Sequence, residues 1–123
     1  MVTFTLVVCA DPYKYEAIDT MLNLGEAILK KGHKILGIFF YGNGVYNINR
    51  DINVGSAIRN LPKRLEDFMK KYELNISACS TWINFTGLKG ERFIPGVCQD
   101  GLGGLAEWMA NSDRVVVFGP GGA

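Results

Sequence analysis

The stretch KILGIFFY, Lys34–Tyr41, decides the fold. It is short, β-branched and aromatic, and nearly free of polar residues after Lys34, so it reads as a strand buried on both faces. Thr3–Cys9, TFTLVVC, is a run of the same kind. Between the two, Tyr15–Lys31 places Ala17, Ile18, Met21, Leu22, Gly25, Ile28 and Leu29 at helical spacing. Lys30 and Lys31 complement the helix dipole, and Gly32 suits a left-handed cap. The first 41 residues therefore spell β-α-β, which demands parallel strands and a right-handed crossover.

The same alternation continues outward. Gly42–Asn60, GNGVYNINRDINVGSAIRN, is polar and glycine-containing and reads as a long loop, a kind that is usually functional. Asn60–Tyr72 reads as a helix with Asn60 as cap, Pro62 in its first turn, and Leu65, Phe68, Met69 and Tyr72 on one face. Leu74–Ala78 is a third strand, with a short helix after Cys79. Gly87–Gly104 is loop-rich, with Phe93–Val97 as a candidate short strand. Leu102–Ala110 is a helix, Arg114–Phe118 (RVVVF) the last buried strand, and residues 119–123 (GPGGA) a flexible tail. The expected class is α/β: a three-layer α/β/α sandwich with a mostly parallel sheet of four to five strands, in a single domain over 1–123.

Composition excludes several functions. Of 123 residues, 13 are Lys or Arg and 12 Asp or Glu, a net charge of +1, too balanced for a nucleic-acid footprint. The Lys30, Lys31 and Lys34 group is what a helix end ordinarily carries. No apolar run approaches the roughly 18 residues of a membrane span, and the N-terminus lacks a basic leader, so neither a membrane nor a secretory role is expected. Cys9, Cys79 and Cys98 are odd in number and widely spaced, which favours free thiols in a reducing cytoplasm. His33 is the lone histidine; no metal site and no organic cofactor are expected. Gly101, Gly103 and Ala106 match a G-x-G-x-x-A pattern, but that fingerprint belongs after the first strand, and close packing explains these glycines better.

In open α/β sheets, reactive groups gather at the carboxyl ends of strands. Cys79, in LNISACSTW, stands at such an end, with Ser80 and Thr81 able to open a helix behind it. A thiol there meets the partial positive charge of unpaired amides, which favours the thiolate. Cys79 is therefore the candidate nucleophile or sulfur carrier, exposed at the strand end, with Ser80 and Thr81 stabilising the anion. The alternative is a small residue that merely ends a strand. Cys98, before QDGLGG, is a secondary candidate in a loop leading to the last helix; Cys9 reads as core. In FFYGNGVYNIN, Phe39–Asn49, Tyr41, Tyr46 and Asn47 form a candidate pocket loop after a glycine-assisted turn.

Three stretches together resemble the DsrE/TusD family of small cytoplasmic sulfur-relay proteins with the DsrEFH-like fold. FFYGNGVYNIN is similar to the family's loop after the second strand. DGLGGLAEWMANSDRVVVF, Asp100–Phe118, is similar to its closing helix and strand. LNISACSTWINFTG falls where the family keeps its sulfur-carrying cysteine, eight residues before a glycine; counted back from Gly87, that position is Cys79, and counted forward from LNI it is Ser77. The residues before Gly87 are Asn84, Phe85 and Thr86, where many active members carry basic residues. The resemblance implies an intracellular sulfur carrier or sulfurtransferase. It would hold sulfur as a cysteine persulfide, taken from a donor protein and passed to an acceptor protein, in a homo- or hetero-oligomer with related subunits. Trp82, Phe85 and Trp108 are the aromatics expected at such interfaces. The alternatives are a non-catalytic assembly subunit of the same family and a small-ligand-binding protein that uses the pocket loop.

Overall fold

The computed structural model describes residues 1–56 and 58–119. The tail expected from position 119 lies, from 120 onward, outside the described residues. Five strands, β1 (Thr3–Val8), β2 (Lys34–Phe40), β3 (Ile76–Cys79), β4 (Cys98–Asp100) and β5 (Arg114–Phe118), form one sheet in the order β4-β3-β2-β1-β5. Every pairing is parallel.

Between them run α1 (Ala17–Lys30), a 3₁₀ helix (Gly42–Ile48), α2 (Leu61–Tyr72), α3 (Ser80–Thr86) and α4 (Leu102–Ala110). The Asn60 side chain caps α2 by accepting from the Lys63 N–H at 3.1 Å, as its sequence position implied. α1 starts later than expected because Tyr15 and Glu16 have left-handed backbones that no helix continues. β4 is Cys98–Asp100 and not Phe93–Val97, whose Phe93 makes only an isolated antiparallel bridge to Asn49.

The connections β1–β2 and β2–β3 step one way along the sheet, whereas α4 carries the chain back across it to β5. Right-handed crossovers then put α1 and α2 on one face and α4 on the other. Packing agrees: Gly25 of α1 meets Phe68 of α2 and Ile35 of β2, whereas Gly37 of β2 lies under the Trp108 indole. A register shift between Phe4 and Thr5 lets β2 present Ile35 and Gly37 to opposite faces. The α1/α2 face carries in-register rows Leu6–Ile38–Ile76 and Val8–Phe40–Ala78, all buried. Ile18, Met21, Leu22, Leu65 and Phe68 cover them. Each large side chain so buried contributes about 1.5–3 kcal/mol. The α4 face is thinly covered. No residue of α4 is buried, and Val115 and Val117 of β5 are exposed.

Candidate functional site

The sheet register brings the candidate residues together. Val8, Phe40 and Ala78 pair across β1, β2 and β3. One residue further on, Cys9, Tyr41 and Cys79 stand at three adjacent strand ends. The Tyr41 N–H still bonds the Val8 carbonyl at 2.9 Å, and the Cys9 N–H bonds that of Phe118 at 3.0 Å. Strands lie about 4.8 Å apart, so the α-carbons of Cys9 and Cys79 are separated by about 10 Å. That is too far for a disulfide, and Tyr41 stands between them.

Cys79 closes β3 and is the N-cap residue of α3, with extended backbone (φ −66°, ψ 120°). Ser80 and Thr81 are the first two residues of that helix, and no hydrogen bond among the described residues engages either hydroxyl. At the other end Gly87 caps α3 in the left-handed region (φ 72°), its N–H donating to Ile83 and Asn84 carbonyls. The nine residues Cys79–Gly87 are thus one helix with its two caps. Ser77 lies inside β3, opposite Phe39 and Cys98.

The expected exposure of Cys79 is corrected: the residue is 1% accessible. The cause is the 3₁₀ helix Gly42–Ile48, which replaces part of the expected open loop and packs on β3 and α3. Its Val45 and Ile48 are fully buried. Asn47 bolts it down, its amide donating to the carbonyls of Ala10 at 2.8 Å and Gly44 at 2.9 Å. Asn47 therefore serves inside the fold, and Tyr46 lies exposed on its surface.

Cys9, expected in the core, is instead half-buried and lines a cleft of about 460 Å³ with Asp11, Lys14, Tyr15, Tyr41, Asn43 and Trp82. Burial pushes the Cys9 thiol's pKa up. Tyr41 and Trp82 meet edge to face, 6.0 Å between centroids, and Trp82 meets Phe85 likewise at 5.5 Å. Of the three pocket-loop candidates, Tyr41 lines this cleft, and Tyr46 and Asn47 do not. Cys98 is exposed at the start of edge strand β4, which corrects its placement in a loop. Asp100, in register with Cys79, accepts from the Gly101 N–H at 2.8 Å and packs on Gly104.

Sequence reasoning missed Asp11, Lys14 and Tyr15 as cleft residues. The available signal was DPYKY, a polar and aromatic insert directly after the first strand. It also missed His33, whose Nδ1 accepts from the Val2 N–H at 3.0 Å. No group of three or more His, Cys, Asp or Glu residues among the described residues could hold a metal ion. No helix among them is long and apolar enough to cross a membrane.

The model of the DsrE/DsrF-like family matches residues 3–118. The DsrE protein of Allochromatium vinosum is 31% identical over 127 residues, covering 94% of this chain and 98% of the relative. Sulfurtransferase TusD of Cronobacter sakazakii is 29% identical over 126 residues, with 94% and 98% coverage. Among solved structures, the ychN protein of E. coli superposes with a TM-score of 0.83 at 21% identity, covering 96% of this chain and all of that one. A protein of unknown function from Methanobacterium thermoautotrophicum gives 0.68 at 13% identity, with 95% and 99% coverage.

Proposed function

The chain belongs to the DsrE/DsrF-like family, and from that premise we propose that it is a sulfur carrier that holds one sulfur atom as a persulfide on Cys79. One observation carries the reading. Cys79 is the residue at the β3–α3 junction, and the eight-residue interval to Gly87 is a complete capped helix. That interval supports Cys79, rather than Ser77, as the counterpart of the family's cysteine position. The name of the TusD relative, a sulfurtransferase, supplies the chemistry.

In the proposed step the Cys79 thiolate attacks the outer sulfur of a donor persulfide. The S–S bond of the donor breaks, the donor leaves as a thiolate with the electron pair, and a Cys79 persulfide forms. The proton lost by Cys79 passes to the donor thiolate. An acceptor thiolate repeats the exchange, and no net oxidation occurs. Ser80 and Thr81, with the first amides of α3, are the groups proposed to face the anion. A buried persulfide is shielded from adventitious thiols, so loading and unloading require the cover over Cys79 to move. Donor and acceptor proteins in the cytoplasm are the proposed partners.

Assembly with like or related subunits is part of the proposal. The thinly covered α4 face supports it, since Leu102 and Met109 of α4 and Val115 and Val117 of β5 are exposed, and Phe85 of α3 is exposed as well. Trp108, expected at an interface, is partly buried and packs on Gly37 and Phe39. The burial of Cys79 favours a second reading, a family subunit that assembles without carrying sulfur.

The test is intact mass after incubation with a persulfide donor, then with an acceptor thiol. The sulfur-carrier reading expects a gain of one sulfur atom per chain and its loss to the acceptor. Unchanged mass in the presence of a competent donor supports the assembly reading.

A further inference from the structure

The cleft at the ends of β1 and β2 owes one wall to the turn Tyr13–Glu16, and that turn is built from residues that resist its conformation. Tyr13, Tyr15 and Glu16 have left-handed backbones, with φ of 63°, 60° and 52°, a region disfavoured for any residue with a Cβ. Such a turn persists only where surrounding bonds over-determine it.

Arg59, from the chain just before α2, grips both ends of the turn. On one side its carbonyl accepts from the Tyr13 hydroxyl at 2.8 Å, and its guanidinium lies 5.8 Å from the centre of the Tyr13 ring. On the other side the same guanidinium makes a two-bond fork to Asp19 in the first turn of α1. The Tyr13 hydroxyl also accepts from the Leu61 N–H at 3.0 Å. Lys14 and Tyr15 lie between these two grips and line the cleft beside Cys9. Lys14 pairs only loosely with Asp11, at 3.6 Å, and the Tyr15 side chain is largely exposed.

We propose that Tyr13, Arg59 and Asp19 form a latch that holds Lys14 and Tyr15 as a lid over Cys9, so that releasing the latch opens the cleft. Without the latch the three left-handed residues relax toward ordinary backbone, and the lid moves with them. The inference rests on the geometry of the turn and stands whether or not Cys79 carries sulfur.

The test is the rate of alkylation of Cys9 by iodoacetamide in the full chain, read by quantitative peptide mapping, with the exposed Cys98 as internal reference. Arg59→Ala is expected to raise the Cys9 rate several-fold and leave Cys98 unchanged. Tyr13→Phe keeps the ring but loses both hydroxyl bonds, and is expected to give a smaller rise in the same direction. Arg59→Lys keeps the charge without the fork and should fall between wild type and Arg59→Ala. An unchanged Cys9 rate in Arg59→Ala and Tyr13→Phe would overturn the latch. So would an equal rise at Cys9 and Cys98, which reports general loosening.

Discussion

Gly44 lies against the carbonyl of Val8: a Cβ built on Gly44 would stand 2.1 Å from that oxygen and 2.8 Å from its carbon. No other residue fits there. The contact seats the 3₁₀ helix Gly42–Ile48 on the end of β1 and so keeps Cys79 covered. Gly44→Ala must push this segment away from the sheet. The expected cost is about 1–3 kcal/mol, as for other overpacked sites, measured by urea denaturation, together with faster labelling of Cys79.

Burial fixes the order in which the thiols of the folded protein react. Cys98 is exposed, Cys9 half-buried and Cys79 buried. Brief alkylation followed by peptide mapping is expected to label them in that order, the reverse of what the sequence suggests for Cys79 and Cys9. Labelling of Cys79 as fast as Cys98 would show that its cover opens freely.

Asp19 sets an acid limit on the latch. The Arg59 hydrogen bond, helped by the charges of Arg59 and Arg64, holds its carboxyl below the usual range despite partial burial. A depressed folded value means that the stabilisation is complete well above the unfolded value of about 3.9. It is lost as pH falls through the folded value. Wild type should therefore lose stability below about pH 5 more steeply than Asp19→Asn, and should exceed it near neutrality. Parallel stability–pH curves for the two would show that the Asp19 carboxylate does not stabilise the folded chain.

The exposed apolar face predicts association. Val117 on the α4 face is 60% accessible, and Phe85 on α3 is 71% accessible. Light scattering is expected to give an oligomer for wild type and a smaller species for Val117→Lys or Phe85→Lys, with the fold retained by circular dichroism. A monomeric wild type at working concentration would contradict this.

Much of the fold was legible because local pattern and tertiary role agree. Leu102–Ala110 and Arg114–Phe118 form the elements expected of them, residue for residue. β4 was not legible, since CQD is polar and exposed, and only its backbone pairing with β3 makes it a strand. The 3₁₀ helix was hidden because Val45 and Ile48 stand among glycines and asparagines that read as loop. At the site, the strand-end position of Cys79 could be read from the end of the apolar run. Its burial could not, because that depends on a segment more than thirty residues earlier folding back over it. The lid before α1 was invisible for a similar reason: left-handed tyrosines carry no sequence signal, and their support comes from Arg59.

Sulfur is proposed to reside on Cys79, so the site of the added sulfur atom after loading from a persulfide donor is decisive. Peptide mapping under non-reducing conditions is to be run on wild type, on Cys79→Ser, and on the double variant Cys9→Ser/Cys98→Ser. One added sulfur is expected on the Cys79 peptide in wild type and in the double variant, and none in Cys79→Ser. Full loading of Cys79→Ser, or sulfur mapped to Cys9 or Cys98 alone in wild type, would contradict it.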